Sequence, residues 1–579
     1  VNDLQPVALG DAADVVVEGG RVFCSNRGTF LERDIAIVGD RIATILEDGD
    51  DAVGPETTVV SAAGRTVIPG LIDAHTHADL YATTEQLCPS VLATGTTSVV
   101  TELSGFGTTL GSRGTEAYLE ATADLPLSVY PTVAPQPLVD TFEPRRADED
   151  ELEALADLFD HERIVGVGEI DWIHVVGQES PVEGLYERAR EAGVRIVGHG
   201  AGCRGENLRA FATVVDNDHE PISPAEALDR AEQGLQVVAR CGSIRDDLSA
   251  VADPLAAGEI APGNVSLSTD GVWPTALRDG FGMAELLRRT IEAGVDPAAA
   301  VDAASRTTAE HFGLEGRGVI APGAYADLVV VSDLESVAVE TVLADGEVVV
   351  EDGTPTIDPP TVSYPEFVFD TIDVSTDPER FTLPQSVTAD GEVRAMDVGQ
   401  GLLTLETTVE PGLEGDRYVP DPDGDVLTAT VIDRDPDTPD RGFTGFLTGY
   451  GLEAGAAATT NTWEVPGLVT IAADPDDAAL AAERVVDNGG GWAIARGGEV
   501  LTELPMPVAA FAARESVPSV AAGFEDLEAT LRDLGVSVER PLLTAQTLTF
   551  PGVPALKLAV TGYADVLGRE IVGLEVERT

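Results

Sequence analysis

The chain has 579 residues, a length that predicts three or four folding units or one large barrel with additions. Its 43 % apolar content suffices for packed cores and excludes a disordered acidic chain. Against 35 lysines and arginines stand 101 aspartates and glutamates, and the net charge of −66 argues against a nucleic-acid backbone or an anionic membrane surface as partner.

The first segment, about 12–67, reads as short strands broken by glycine and aspartate, at 14–17, 20–23 and 34–38. The same texture returns at about 316–352, in 326–331 and 347–350. Residues 1–67 and 315–360 are therefore expected to pair as one composite β-sandwich domain.

Between them, residues 68–314 alternate between strand and helix patterns. Strand candidates are 67–77, 96–103, 127–133, 164–172, 195–199, 213–216, 235–240 and 265–269. Helix-like stretches include 149–161, 181–192, 224–233 and 283–293. Eight β/α alternations predict an α/β fold built on a (β/α)8 barrel. The alternative is an open doubly wound sheet, but no GxGxxG follows the first strand.

Residues 361–579 read as a separate α+β domain behind a linker at 358–365, which contains Pro359-Pro360. Strand alternation appears at 393–409, and 476–487 and 524–534 are helix-like.

The basic residues are lopsided. Lys557 is the single lysine, and the other 34 are arginine. Acid spread over the whole chain with almost no lysine is the composition of a protein kept soluble in high salt, and a halophile's cytoplasm is the expected location. Cys24, Cys88, Cys203 and Cys241 form no CxxC spacing, so neither a disulfide framework nor a structural zinc site is expected. No signal peptide pattern and no membrane-spanning apolar run are visible.

Of seven histidines, two form His75-Thr76-His77 at the end of the first barrel candidate. Residues i and i+2 of a strand share a face, so both imidazoles can reach one metal. HxH alone is a weak signal. Further ligand-type residues follow strand by strand, however. Glu169 ends the fourth, His199 the fifth, His219 follows the sixth, and Asp270 ends the eighth. Barrel active sites are built at that rim. Singly, each reads as a solvated or hydrogen-bonded residue; six at five strand ends point to a metal site.

This pattern resembles the amidohydrolase superfamily, with HxH on strand 1, a carboxylate on strand 4, histidines on strands 5 and 6 and an aspartate on strand 8. Longer motifs resemble its adenine deaminase branch. They are Pro69-Gly70-Leu71-Ile72-Asp73-Ala74-His75-Thr76-His77, Asp218-His219-Glu220, Gly489-Gly490-Gly491-Trp492, Glu503-Leu504-Pro505-Met506-Pro507 and Pro551-Gly552-Val553-Pro554. The likeness spans almost the whole chain.

The resemblance implies two divalent metal ions: Mn, Fe or Zn. One would be held by His75, His77, Glu169 and Asp270, the other by Glu169, His199 and His219. Related enzymes bridge the metals with a carbamylated lysine; here the only lysine lies in the tail, so Glu169 is the expected bridge. Asp270 is the expected proton shuttle, and Asp270, Glu169 and His219 form the catalytic set. Glu220 and Arg240 are implied substrate contacts, with a rim salt bridge as the competing reading, and Ser243 and Asp79 are fainter candidates. Trp273 is expected to pack rather than stack on substrate, and His161, His174 and His311 to be structural.

The resemblance also implies a small-molecule substrate, a purine or related heterocycle, and a homo-oligomer. Leu80 and Tyr81 replace two serines of the family pattern, Ser104-Gly105 replaces a His-Glu pair, and a histidine-containing tail stretch is Asn461-Thr462-Trp463-Glu464-Val465. A less polar or larger heterocycle than adenine is therefore the expected preference. Two other readings stay open: a cyclic amide or urea hydrolase on the same scaffold, and a metal-binding protein with a decayed pocket.

Overall fold

The computed structural model of the chain describes all residues except 1–3, 136–148, 178–181, 388–390, 435–440, 464–466, 554 and 577–579. Its centre is an eight-stranded parallel sheet in strict chain order. The strands are Leu71–Thr76 (β1), Thr96–Thr101 (β2), Ser128–Val133 (β3), Gly166–Asp171 (β4), Arg195–His199 (β5), Asn217–Asp218 (β6), Gln236–Arg240 (β7) and Val265–Ser268 (β8). The ring is drawn shut between β8 and β1. Asp270 N–H and the Ser268 hydroxyl donate to the His75 carbonyl, at 2.9 and 2.6 Å, and Thr269 N–H and hydroxyl donate to Asp73, at 3.0 and 2.5 Å.

Buried strands covered on both faces read as apolar runs, as parallel sheets require. In β7, Val237 and Ala239 pack into the same cluster as Leu248, Val251 and Leu255 of the helix Leu248–Ala256. The alternation then turns Arg240 toward the barrel's inner side. Helix Glu149–Asp157 is shorter than the expected 149–161, because its chain tightens into a 3-10 turn at Leu158–Asp160. Helix Glu183–Ala192 lies inside the expected 181–192, whose first residue falls outside the described set.

Two strand expectations need correction. The run 67–77 is two strands: Thr66–Pro69 joins the outer sheet, and β1 begins at Leu71. Gly70 makes the switch; a Cβ there would overlap Thr97 Oγ1 and crowd Asp327. The sixth strand is Asn217–Asp218, later than the expected 213–216. Those residues first close the turn after helix Gly205–Phe211, with Thr213 N–H bonding to Ala210 and Val214 and Val215 N–H to Phe211.

The two flanking β segments share one nine-stranded hydrogen-bonded sheet. The seam is Thr66–Pro69, which runs antiparallel to Leu328–Val331 and parallel to Val15–Cys24.

Beyond it, an eight-stranded sheet carries helices Pro475–Asp487 and Val517–Asp533. The strand alternation expected at 393–409 forms a hairpin of Val393–Gln400 and Leu403–Val409. This C-terminal region is not independent of the barrel. Leu80, Tyr81 and Ile244 from barrel loops, with Leu87 and Leu277 from barrel helices, share one core with Trp463, Phe511, Phe524 and Phe550. The Asn461 side-chain amide donates to the Leu80 and Phe511 carbonyls, at 2.6 and 3.2 Å.

Lys557 is fully buried in this region, on the strand Leu556–Ala559. Its ammonium donates to the Leu402 and Thr547 carbonyls, at 3.3 and 3.2 Å. Burial pushes its pKa down to about 7.

Candidate active site

The strand ends carry their polar side chains to one place. His75 ends two residues of alternation after Asp73, and His77 follows β1 directly; their rings stand 5.3 Å apart at 86°. His75 Nε2 lies 3.6 Å from both Glu169 Oε2 and Asp270 Oδ1, and His77 Nε2 lies 3.5 Å from Asp270 Oδ1. On the far side, His199 Nδ1 and His219 Nε2 both lie 3.1 Å from Glu169 Oε2. All six side chains are buried. Asp270 occupies a left-handed backbone conformation, φ 59°, uncommon for a residue with a Cβ.

These donors fit divalent metals. Glu169 joins two groups of atoms that all lie within 4.8 Å of one another, with His75 and His77 on one side and His199 and His219 on the other. His75, His219 and Asp270 form a third such group. His75 Nε2 and His77 Nε2 are buried without a hydrogen-bond partner, the condition an imidazole lone pair meets when a metal is to take it. Mixed imidazole and carboxylate donors suit Mn²⁺, Fe²⁺ or Zn²⁺.

Without a metal the surrounding charges divide the histidines. Burial lowers the His75 pKa to about 4, and the charge of His219 works in the same direction, so His75 stays neutral as a ligand must. Burial also works against charge on His199, yet Glu220 and Glu169 outweigh it and hold its pKa well above the usual histidine value. Burial would raise the Glu169 carboxyl, but His199 and His219 hold it well below its usual range. Asp270 is likewise kept ionised against burial, chiefly by Arg240, whose guanidinium lies 3.2 Å away.

Glu220 and Arg240 meet in a buried ion pair, closed on the other side by Asp247 at 2.9 Å from Arg240. Despite burial, Arg240 brings the Glu220 pKa down to about 2. The pair is part of the cluster, because Glu220 Oε1 also lies 3.5 Å from His219 Nε2 and 3.7 Å from His199 Nδ1. The salt bridge of the competing reading is present, but it lies buried beside the histidines.

Asp79 and Ser243 are engaged elsewhere. The Asp79 carboxylate accepts the N–H groups of Ser104, Gly105 and Phe106, at 3.1, 2.8 and 2.9 Å, at the start of helix Phe106–Ala121. The Ser243 hydroxyl accepts the Trp273 N–H at 2.8 Å. Trp273 packs against Phe524, with Tyr81 edge-on. His161 Nδ1 accepts the Arg163 N–H at 3.2 Å, His174 ends a 3-10 turn, and His311 contacts Asn217 at 3.0 Å.

Four residues at the site escaped the sequence reading. Glu102, at the end of β2, lies 3.7 Å from His75 Nδ1 and accepts the Thr132 hydroxyl at 2.6 Å. Burial raises its pKa to about 8, and the charge of Glu169 adds to that. Asp171 lies 3.8 Å from His199 Nε2. Both sit at strand ends, the same signal that singled out Glu169. Trp463 and Phe550 come from the C-terminal region, Trp463 in the stretch that departs from the family pattern, and neither ends a barrel strand. Their rings meet His77 and His199 edge-on, at 4.7 and 5.4 Å between centroids.

Residues 66–349 match the family model described as Amidohydrolase family. Barrel, buried donor cluster and this match define a divalent-metal hydrolase acting on C–N bonds. Residues 401–570 match the Adenine deaminase C-terminal domain. An adenine deaminase of Kosmotoga olearia is 30 % identical, over 99 % of this chain and 98 % of its own length. One from Nitratidesulfovibrio vulgaris is 34 % identical, over 98 % and 97 %. A beta-aspartyl dipeptidase structure from Fervidobacterium islandicum AW-1 superposes with a TM-score of 0.48 at 18 % identity, covering 59 % of this chain and 98 % of that one. The chain belongs to the adenine deaminase family.

Proposed function

We propose that the chain hydrolyses the exocyclic C–N bond of adenine or a related heterocycle, releasing ammonia. The observation that carries this reading is the convergence of His75, His77, Glu169, His199, His219 and Asp270 on two donor groups that share Glu169. His75, His77, Glu169 and Asp270 would hold one divalent ion, and Glu169, His199 and His219 the other. Ions bound there supply Lewis acidity, lowering the pKa of a water toward neutrality.

The protein's own groups handle the protons. Asp270, held ionised by Arg240, takes the proton from the attacking water and delivers it to the leaving nitrogen, a general base turned general acid. Arg240 has a second task, anchoring Glu220 beside His199 and His219. There Glu220 presents a carboxylate to N–H groups of the substrate. Glu102 Oε1 faces His75 Nδ1 across 3.7 Å. Asp79 holds the backbone at Ser104–Phe106 in place, and Ser104 Oγ meets His77 Nδ1 at 2.8 Å.

The family resemblance supports Mn, Fe or Zn as metal and a homo-oligomer, and the composition supports work in a salt-rich cytoplasm. Among the described residues no helix is long and apolar enough to cross a membrane. The test is ammonia release from adenine and aminopyrimidines, and ring opening of cyclic amides, in molar KCl with added Mn²⁺, before and after chelation. Metal-dependent ammonia release from an aminopurine supports the reading. Turnover of cyclic amides alone would transfer the site to amide hydrolysis.

A further inference from the structure

The C-terminal region places two aromatic rings over the donor cluster. Trp463 meets the His77 ring at 75°, Phe550 meets the His199 ring at 76°, and the two aromatics stand 6.0 Å apart. The Trp463 backbone is tied to the same segment that carries Phe550. Its N–H donates to the Gln546 carbonyl at 3.1 Å, and its carbonyl accepts the Thr549 hydroxyl at 3.4 Å.

Two features of Trp463 go beyond packing. First, it borders a cavity of about 20 Å³ whose other walls include His77, Glu102, Ser104 and Glu169. That space suits one water and not a purine. Second, its indole Nε1–H is buried without a hydrogen-bond partner, while the residue as a whole is 5 % exposed. A buried donor without an acceptor is unfavourable, and a ligand acceptor relieves it.

We propose that Trp463 is a specificity-determining residue of the hydrolytic site. Its indole withdraws from His77 to admit a planar nitrogen heterocycle, packs along the ring, and donates its N–H to an acceptor there, a ring nitrogen or a carbonyl oxygen. The proposal rests on the aminohydrolase reading above. It gives the C-terminal region a direct share in recognition, in a stretch where this chain departs from the family pattern. A site built to donate to an acceptor also rejects analogues lacking it, which apolar contact alone does poorly.

The experiment uses the full-length, metal-loaded protein in molar KCl with two variants. Trp463→Phe keeps an aromatic ring and removes the N–H; Trp463→Ala removes the wall. Adenine, 3-deazaadenine and 7-deazaadenine are compared as substrates, and hypoxanthine binding is followed by calorimetry. Trp463→Phe is expected to lower kcat/KM about 10- to 100-fold, mainly through KM, with metal content unchanged. The deaza analogue lacking the contacted nitrogen should lose a similar factor in the unaltered protein and little more in Trp463→Phe. Trp463→Ala should fall at least as far.

Unchanged kcat/KM and hypoxanthine affinity in Trp463→Phe overturn the proposal. So does a gain in Trp463→Ala, which would make the indole an obstruction, or loss of metal in both variants, which would make its role structural. If the unaltered protein neither releases ammonia nor binds hypoxanthine, the aminohydrolase reading falls and takes this proposal with it. An active parent with indifferent variants removes this proposal alone.

Discussion

Arg230→Met attacks the support beneath two of the histidines. Arg230 Nε donates to Asp218 Oδ2 at 2.9 Å and its Nη2 to the Gly200 carbonyl at 2.7 Å, and both side chains are completely buried. Asp218 Oδ1 in turn accepts the N–H groups of Gly200 and Glu220, both at 3.0 Å. One carboxylate thus fixes the residue after His199 and the residue after His219. Gly200 is needed there, because a Cβ would overlap Asp218 Oδ2. Two unit charges at this spacing attract by about 6 kcal/mol at an effective dielectric of about 20. Desolvation offsets much of that, but removing one partner strands the other, at a cost of about 3–5 kcal/mol. Arg230→Met should lower the unfolding free energy by that amount in denaturant melts run in molar KCl. It should also weaken metal binding at the His199–His219 side. Adding Asp218→Asn, which neutralises the stranded charge, should recover part of the loss. A cost under about 1 kcal/mol with full metal occupancy would refute the reasoning, since surface-like pairs cost that little.

Glu169→Gln should leave fewer than two metal equivalents by elemental analysis and no detectable turnover, because a neutral amide is a poor bridge between His75, 3.6 Å away on one side, and His199 and His219, both 3.1 Å away on the other. The net charge of −66 should unfold the protein as KCl is diluted, read by circular dichroism, whereas a melting point independent of salt would refute the high-salt reading. Adenine should be turned over with a kcat/KM below about 10⁵ M⁻¹s⁻¹ and be outpaced by a larger or less polar heterocycle, because Leu80 and Tyr81 are buried where the family pattern carries serines.

The barrel was legible because its strands are short apolar runs separated by amphipathic helices, and such runs need no distant information. The ligand histidines and acids were legible for the same reason: each lies near a strand end or just past it. Reading failed where contacts are non-local. Val67 to Ile72 is an apolar run without a charged residue, and only pairing with Leu328–Val331, far along the chain, divides it at Gly70. Asp79 carries no mark that separates a substrate contact from a group satisfying three backbone N–H donors. Glu102 and Asp171 were within reach of the strand-end rule, for each lies at or just past a strand end. Trp463 and Phe550 reach the site only because the C-terminal core continues into the barrel loops.

The burial of Lys557 makes the folded chain nearly blank to amine chemistry. Among side chains it is the only primary amine, and it has no exposed surface. Acylating reagents and aldehyde cross-linkers, which attack unprotonated amines, then find nothing on the native surface except the α-amino group. Opening of the C-terminal region exposes one new target at a known position. Pulse acylation read by mass spectrometry at Lys557 therefore becomes a single-site clock for that opening. Immobilisation through surface lysines, routine for other enzymes, has no side chain here to grip.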